Sequence, residues 1–408
     1  MHQLIKSKNL FILSIILFIW AMCEAMTRPY LPIYVTELGG NMLAFGFMNS
    51  LSTAITIIFP LIVGIISDKK GRKKVLIWCT ALEVLSILII VLSNNWIQLI
   101  PGFIILNFAT IVRKTPQSAL IVSETQEEYR GAVFGSLNSI QGIGKIIGPL
   151  ISAIIVVGLS TKLTFGIRGV LLVIILLLTT RIFEEEQQNV KFSRTTIFNT
   201  ISKSFTKNSD VRKTLAPLAA LLVAEVMISF FNGIFSPFLS VYVKTKLNST
   251  ASLGFFYAIM QVSFILTSWI AGSMTDKIGR KKMLIGNGIT SLLVSLVLLA
   301  AAVQWHFIVA FILWGVMLGL GIPAFEAIVG DAVPKNKCGQ VYGIFTALTT
   351  FAVVPAPLIG GFIIDRAGYD IPIILAAIGG ILYAVIVSLF LKEAKVKSDK
   401  DSKIEIMS

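Results

Sequence analysis

The stretch Gly64-Ile-Ile-Ser-Asp68-Lys-Lys-Gly71-Arg72-Lys73-Lys74 returns later in the chain as Gly272-Ser-Met-Thr-Asp276-Lys-Ile-Gly279-Arg280-Lys281-Lys282. A single offset of 208 residues relates the two copies (Gly64 to Gly272), and the same offset aligns Pro149 with Pro357. A fixed spacing kept over so many residues indicates an internal duplication.

Long apolar runs surround both copies of this pattern. Of the 408 residues, 55% are hydrophobic and 14% are charged, whereas a soluble domain carries about 25% charged residues. A helix needs about 20 apolar residues to cross a bilayer, and twelve runs approach or exceed that length. Their predicted limits are 10–35, 43–66, 74–93, 96–122, 131–158, 163–183, 213–243, 251–274, 282–303, 305–330, 339–364 and 371–391. The sequence therefore predicts an all-α membrane protein with 12 transmembrane helices, called spans 1 to 12 below.

The spans divide evenly around a polar stretch, so two six-helix bundles are expected. The predicted limits are 1–183 for the N-terminal bundle, 184–212 for a cytoplasmic linker, 213–391 for the C-terminal bundle and 392–408 for a cytoplasmic tail. Because six spans, an even number, separate the two copies of the pattern, both copies lie on the same side of the membrane. The bundles are thus predicted to be parallel repeats, related by an axis along the membrane normal.

The lysines and arginines lie mainly between spans, and their distribution predicts the orientation. With both termini inside, about 26 of the 35 basic residues face the cytoplasm. The external loops then hold Lys162, Lys244, Lys246 and Arg366. We therefore expect a multi-pass protein of the cell membrane with both termini cytoplasmic. The net charge of +14 does not indicate nucleic acid binding, because the basic residues flank spans.

The repeated pattern resembles the signature loop of the major facilitator superfamily, whose members contain two parallel six-helix halves. The resemblance covers nearly the whole chain and implies the major facilitator fold. In that family the acid equivalent to Asp68 is thought to hold the cytoplasmic gate shut in the outward-open state, and a purely topogenic basic cluster is the simpler alternative. The residues assigned to these gating loops are Gly64, Asp68, Gly71, Arg72, Glu124, Arg130, Asp276, Gly279 and Arg280.

The glycines of the pattern carry predictions of their own. A tight turn between two spans predicts a positive φ at Gly71 and Gly279, since glycine adopts it without steric cost. Gly64 and Gly272 are expected to let a neighbouring helix approach closely.

The small residues of span 5 resemble the antiporter motif of proton-coupled drug exporters, and they are Gly135, Gly144, Gly148 and Pro149. That motif ends in two glycines, whereas Ser152 and Ala153 follow here. Close helix packing with a proline bend is the other interpretation, and it is expected for most of these positions.

Ionisable residues inside spans are expected to face a cavity or a partner, because each costs about 2.5–3.5 kcal/mol at the bilayer centre. The resemblance implies that spans 1, 4, 7 and 10 surround a central cavity. The proton-coupling candidates are Glu24, Arg28, Arg113 and Glu225. The cavity candidates are Lys114, Asn138, Gln141, Lys145, Asn232, Tyr257, Gln261 and Glu326, with Trp20 as a further aromatic one. Glu83 in span 3 is expected on a peripheral helix, with a structural or interfacial role.

One hypothesis joins these residues into a coupling mechanism. Glu24 would carry a proton and Arg113 would adjust its proton affinity, because a low-dielectric cavity favours the neutral carboxyl group and a nearby cation favours the carboxylate. The alternative is a permanent pair of Glu24 with Arg28, one helical turn away.

The expected function is secondary transport by alternating access, most simply proton-coupled export of amphipathic organic compounds. A carrier of organic anions, metabolites or lipids is the alternative, because Arg28, Arg113, Lys114 and Lys145 make the cavity positive. A receptor without transport would not need two gating loops.

The sequence shows no nucleotide-binding loop, no nucleophile with a base and no metal-ligand spacing. We therefore expect no enzyme activity, cofactor or metal, and a monomer that handles a small molecule and protons in the bilayer.

Overall fold

The computed structural model describes residues 7–57, 67, 71–182, 218–333 and 338–391 of the chain, and every regular element among them is a helix. Within these described ranges, eleven helices are long and apolar enough to cross a membrane, and the shorter apolar helix Met42–Thr56 lies where span 2 is predicted. The predicted fold class is therefore confirmed, and the chain is a multi-pass membrane protein. The predicted linker 184–212 and tail 392–408 lie outside the described residues.

The helices follow the predicted order. In the N-terminal half they are Lys8–Thr27 and Leu31–Glu37 (span 1), Met42–Thr56 (span 2), Arg72–Leu92 (span 3), Trp96–Ser123 (span 4), Arg130–Gly158 (span 5) and Thr161–Thr180 (span 6). In the C-terminal half they are Ala219–Phe235 and Leu239–Leu247 (span 7), Ala251–Ile278 (span 8), Arg280–Leu299 (span 9), Gln304–Ala332 (span 10), Cys338–Val353 and Ala356–Ala367 (span 11) and Asp370–Phe390 (span 12). The helix of span 2 ends at Thr56, ten residues before the predicted limit of 66. Except for the start of span 7, the other ends that are described lie within about four residues of the predicted ones.

Prolines interrupt spans 1 and 7 at equivalent places. Pro29 and Pro237, which the 208-residue offset relates, each lie in a three-residue 3-10 turn. Proline lacks the N–H group that the α-helical hydrogen bond requires, so the helix changes geometry at these points.

Tyrosine hydrogen bonds repeat with the same offset. The hydroxyl group of Tyr34 donates to the carbonyl oxygen of Ile90 at 3.4 Å. That of Tyr242 donates to the carbonyl oxygen of Leu298 at 2.7 Å. The internal duplication thus extends from the sequence pattern to individual contacts between spans 1 and 3 and between spans 7 and 9.

The two basic turns adopt the predicted backbone. Gly71 has φ 91° and Gly279 has φ 94°, values that a residue with a Cβ rarely adopts. The expectation of close packing at Gly272 is wrong in this conformation, because a Cβ there would meet no atom of the described residues within 4 Å. Gly64 and Asp68 lie outside the described residues, as does the side chain of Asp276.

The two halves meet along two seams, span 2 against span 11 and span 5 against span 8. Gly46 leaves no room for a Cβ beside the carbonyl group of Pro357, and Gly254 leaves none beside that of Pro149. The repeat offset converts one pair of residues into the other. Both pairs lie far from the turns at Gly71 and Gly279, at what is called the closed end below (residues 31–50 and 239–258, with the ends of spans 5 and 11).

Candidate functional site

The space between the halves contains an acid, a base and a phenol. Glu24 and Arg28 form an ion pair with 3.9 Å between Oε1 and Nη1, and their side chains are 27% and 80% exposed. The charge of Arg28 acts on Tyr257 in the opposite half. The hydroxyl group of Tyr257 lies 3.1 Å from the Oγ atom of Ser240. Spans 1, 7 and 8 thus bring these four residues, the central site, together.

The Glu24–Arg28 pair does not fix either side chain firmly. An exposed ion pair contributes about 0–1 kcal/mol, and its 3.9 Å separation exceeds the length of a hydrogen bond. The predicted pairing is therefore observed, but both side chains can also interact with a ligand that enters the space between the halves.

A second charged pair lies behind the central site, inside the N-terminal half. Glu83 is 0% exposed and Arg113 is 2% exposed, with 3.6 Å between Oε1 and Nε. The Arg113 guanidinium lies 4.0 Å from the centre of the Trp20 ring, a cation–π distance. The indole N–H of Trp20 points at both Glu83 oxygens, at 3.3 and 3.2 Å. One aromatic side chain therefore holds both members of a buried ion pair.

Arg168 in span 6 adds a second cation to this region. It is 4% exposed, and its Nη1 atom donates a hydrogen bond to the hydroxyl group of Thr27 in span 1. Its charge acts on Glu83, as does the charge of Glu24. Glu24, Glu83, Arg113 and Arg168 therefore form one electrostatic unit, called the charged cluster below, that reaches from the bundle interior to the central site.

Of the two roles expected for Glu83, the interfacial one is wrong, because its side chain is fully buried, and the structural one fits its ion pair with Arg113. Trp20 is likewise a buried partner of the charged cluster and not an open lining residue. A signal for Glu83 was present in the sequence. Cys79 and Ser86 share its helical face at spacings of four and three residues, and both are buried. A small or polar face on an otherwise apolar span indicates a polar neighbour.

Glu225 lies in a different environment, in the C-terminal half. One of its carboxylate oxygens accepts a hydrogen bond from the hydroxyl group of Tyr383 in span 12 at 2.8 Å. Asn287 of span 9 also interacts with Tyr383. The structure therefore separates Glu225 from the other coupling candidates and joins it to neutral polar side chains.

The remaining cavity candidates lie on spans 4, 5, 7, 8 and 10. Lys114, Asn138 and Glu326 are exposed, whereas Gln141, Lys145, Asn232 and Gln261 are partly buried. Their part in binding stays a prediction.

The glycines of span 5 divide into two groups. A Cβ at Gly144 would collide with the backbone at Phe18, and one at Gly148 would collide with the backbone at Met22. No atom from the described part of the chain lies within 4 Å of such a Cβ at Gly135. The packing interpretation is therefore confirmed for Gly144 and Gly148, which let spans 1 and 5 touch.

The described gating-loop residues have local partners. Glu124 accepts hydrogen bonds from the side chains of Ser7 and Asn9 at the start of span 1. Arg130 pairs with Glu127 at 3.1 Å. The Nη1 atom of Arg280 donates to the carbonyl oxygen of Ala327 in span 10 at 3.0 Å. These contacts tie spans within each half, and the latch role of Asp68 stays a prediction.

At the closed end, polar contacts join the two halves. The Asp365 carboxylate in span 11 accepts from the backbone N–H groups of Met42 and Leu43 at 3.1 and 2.8 Å. Glu37 and Lys244 form an ion pair of 3.5 Å between spans 1 and 7. These contacts and the glycine seams hold together the end that lies away from the basic turns.

Comparisons with known proteins agree with this architecture. The sequence model of the Major Facilitator Superfamily matches residues 13–224 and 221–405. The chain is 24% identical to a protein of Lactococcus lactis named multi-drug resistance efflux pump PmrA homolog, covering 94% of this chain and 93% of that one. It is 25% identical to the class H tetracycline resistance protein of Pasteurella multocida, covering 93% and 95%.

A solved structure has the same fold. The crystal structure of the nucleoside transporter NupG superposes with a TM-score of 0.77 at 15% identity, covering 95% of this chain and 100% of that one. Since the family model spans nearly the whole sequence and the helices form two matched halves, the chain belongs to the major facilitator superfamily of membrane transporters.

Proposed function

We propose that the chain is a proton-coupled exporter of amphipathic organic compounds that works by alternating access. The observation that supports this most is the central site, where Glu24, Arg28 and Tyr257 meet between two halves that are joined at the closed end. A site between repeats is where transporters of this architecture bind substrate. The relatives named as efflux and resistance proteins favour export.

The conformation fits loading from inside. The lysine and arginine distribution favours a cytoplasmic location for the basic turns, which makes the closed end external. The central site then opens toward the cytoplasm, where an exporter takes up its substrate. Rocking of the halves would separate the two seams and bring the basic turns together.

Glu24 suits the positive group of a substrate. Its carboxylate is partly exposed and loosely paired with Arg28, so a cationic group can compete for it at low cost. Tyr257 offers an aromatic face to an apolar or cationic moiety. An amphipathic organic cation therefore satisfies both kinds of group at the central site.

The coupling hypothesis needs one revision. Arg113, expected to act on Glu24, has Glu83 as its nearest acid, and it reaches Glu24 only through a longer electrostatic interaction. Substrate binding and proton carriage can therefore belong to different carboxyl groups within the charged cluster.

An organic-anion carrier is the second candidate, because the Arg28 side chain is 80% exposed and Lys114 is exposed on span 4. These cations would attract a carboxylate or phosphate if Glu24 were protonated, because Arg28 would then keep its full charge. We further propose a monomer in the cell membrane with both termini in the cytoplasm, without enzymatic activity.

Transport in vesicles separates the two candidates. Purified protein in liposomes with an acidic interior should accumulate ethidium, a lipophilic cation, and should not accumulate carboxyfluorescein. A protonophore should abolish the accumulation, and protein-free liposomes are the control. Accumulation of carboxyfluorescein alone would support the anion carrier, and ethidium uptake that ignores the pH gradient would contradict proton coupling.

A further inference from the structure

We infer that Glu83 carries the coupling proton, and that this proton exchanges with the cytoplasmic side through a water site inside the N-terminal half. Substrate and proton would then use separate routes. The inference rests on the proposed function, because it assigns the proton of that exchange to a named carboxyl group and a named path.

The surroundings of Glu83 make it suited to a reversible charge. The ionisable and hydrogen-bonding groups that face it are Trp20, Cys23 and Glu24 from span 1, Arg113 from span 4, Arg168 from span 6 and Cys79 from its own span. With both acids ionised, the charged cluster is neutral. Protonation of Glu83 leaves two arginines facing one carboxylate, so the net charge of the cluster depends on whether Glu83 is protonated.

A small cavity lies beside Arg113. Its volume is about 10 Å³, about the space that one water molecule needs. Arg113 lines it together with the polar side chains of Thr80, Gln117 and Thr179. Thr80 lies in the first part of span 3 and Thr179 near the end of span 6, so the cavity is on the predicted cytoplasmic side of Arg113.

Arg113 supplies an independent sign that a ligand belongs there. Among the described residues, its Nε and Nη2 atoms have no hydrogen-bond acceptor although the side chain is 2% exposed. Buried donors of this kind are nearly always satisfied by protein or by ordered water. A water in the cavity, accepting from Arg113 and bonded to the polar lining, satisfies this donor.

The route through the central site is less favourable. Trp20 lies on span 1, and its indole N–H covers both carboxylate oxygens of Glu83. Glu83 itself has no exposed surface. A proton that came from the space between the halves would have to displace this indole group, whereas the cavity lies beside Arg113, next to Thr80 and Thr179.

The exchange can be written as a balanced proton step. The O–H bond of the Glu83 carboxyl group breaks, the proton leaves by way of the water for the cytoplasmic solution, and the resulting carboxylate neutralises Arg113. Glu24 is then no longer the sole counter-charge of two arginines, so it is free for the cationic group of the substrate. Protonation of Glu83 draws Glu24 back to the arginines, so that one bound cation and one bound proton exclude each other.

Ethidium binding to the purified protein tests the assignment of the proton. We expect wild-type affinity to fall up to tenfold for each pH unit lowered, as one-for-one exchange requires. Glu83→Gln mimics the protonated state, so its affinity should be low and independent of pH. The double variant Glu83→Gln/Arg113→Gln removes both charges, so it should regain high affinity, still without pH dependence.

The outcomes separate the inference from the proposed function. A pH dependence of affinity that persists in Glu83→Gln would overturn the role of Glu83 alone. Its loss in Glu24→Gln would then assign the proton to Glu24. A wild type without pH-dependent binding and without pH-driven accumulation would overturn proton-coupled transport itself. Failure of the double variant to regain affinity would show that Glu83 acts only in packing.

A matched pair of threonines tests the route. Thr179→Ile fills the cavity, whereas Thr180→Ile alters the neighbouring exposed position. Proton release is followed with a pH-sensitive dye after rapid mixing with ethidium. In Thr179→Ile its rate should fall at least tenfold, whereas the total number of protons released should equal that of the wild type. In Thr180→Ile both the rate and the number should be unchanged. Equal rates in both variants would instead place the route in the space between the halves.

Discussion

The backbone N–H of Leu43 donates a hydrogen bond of 2.8 Å to the carboxylate of Asp365, which belongs to the other half of the protein. The start of span 2 is thus capped twice, once by Asn41 of its own chain segment and once by span 11. A negative charge at a helix N-terminus is favourable, and here it exists only while the halves are together at the closed end.

Asp365→Ala should therefore shift the protein toward opening at the closed end. Loss of this cap costs about 1 kcal/mol, which corresponds to about a fivefold change in the ratio of the two conformations. Nitroxide labels at Asn94→Cys and Ala302→Cys, equivalent exposed positions in the two halves, would report the change as a longer distance in pulsed electron paramagnetic resonance.

The control for this experiment is Asp370→Ala, which removes an exposed carboxylate from the first turn of span 12 at the same end. Its distance distribution should match that of the wild type. An equal shift in both variants would mean that general surface charge, and not the cap on span 2, sets the conformation.

Gly46→Ala should disrupt the seam between spans 2 and 11. The new methyl group would overlap the carbonyl group of Pro357, and forced overlap of this kind costs about 1–3 kcal/mol. The same labels should show a larger open population, and ethidium transport should fall. Gly135→Ala places a methyl group where no described residue lies within 4 Å, so it should leave both measurements unchanged. A label distance in Gly46→Ala equal to that of the wild type would contradict the importance of close packing between spans 2 and 11.

Removal of one partner from the buried pair should destabilise the protein more than removal of both. Arg113→Ala leaves Glu83 buried without its cation, and such a loss costs about 3–5 kcal/mol. Thermal unfolding in detergent should therefore place Arg113→Ala well below Glu83→Gln/Arg113→Gln. The reverse order would indicate that Arg113 contributes mainly through its contact with Trp20.

The ion pair between Glu37 and Lys244 should stabilise the closed end only at low salt. Both side chains are about one-third exposed, 37% and 35%, so the pair contributes about 0–1 kcal/mol and is screened at high ionic strength. Lys244→Gln should increase the open population in dilute buffer, and the difference from the wild type should vanish in about 1 M salt. A difference that does not depend on salt would point to packing of the lysine stem.

The fold could be predicted because it follows from local rules. Span length comes from bilayer thickness, and the positive φ values at Gly71 and Gly279 come from a tight turn. The repeat offset predicts that Gly46 is equivalent to Gly254 and that Pro149 is equivalent to Pro357. It does not predict that Gly46 contacts Pro357 or that Gly254 contacts Pro149.

The site was harder to predict, because it depends on how each helix is rotated. The small or polar face of span 3 indicates a polar neighbour for Glu83 but does not identify it, so the sequence could not pair Glu83 with Arg113. The need of Arg113 for a counter-charge was a usable clue. Asp365 left no such clue, since its partners are backbone N–H groups, which every sequence supplies.

The twin glycine–proline seams have a mechanical consequence. Because one pair of contacts is the duplicate of the other, the halves are clamped on both flanks with similar geometry, and neither flank is built as a permanent hinge. Separation must then break both clamps in the same event. An inhibitor or antibody fragment that binds across either seam and holds it together would therefore block the conformational change, and it would not have to contact the transported compound.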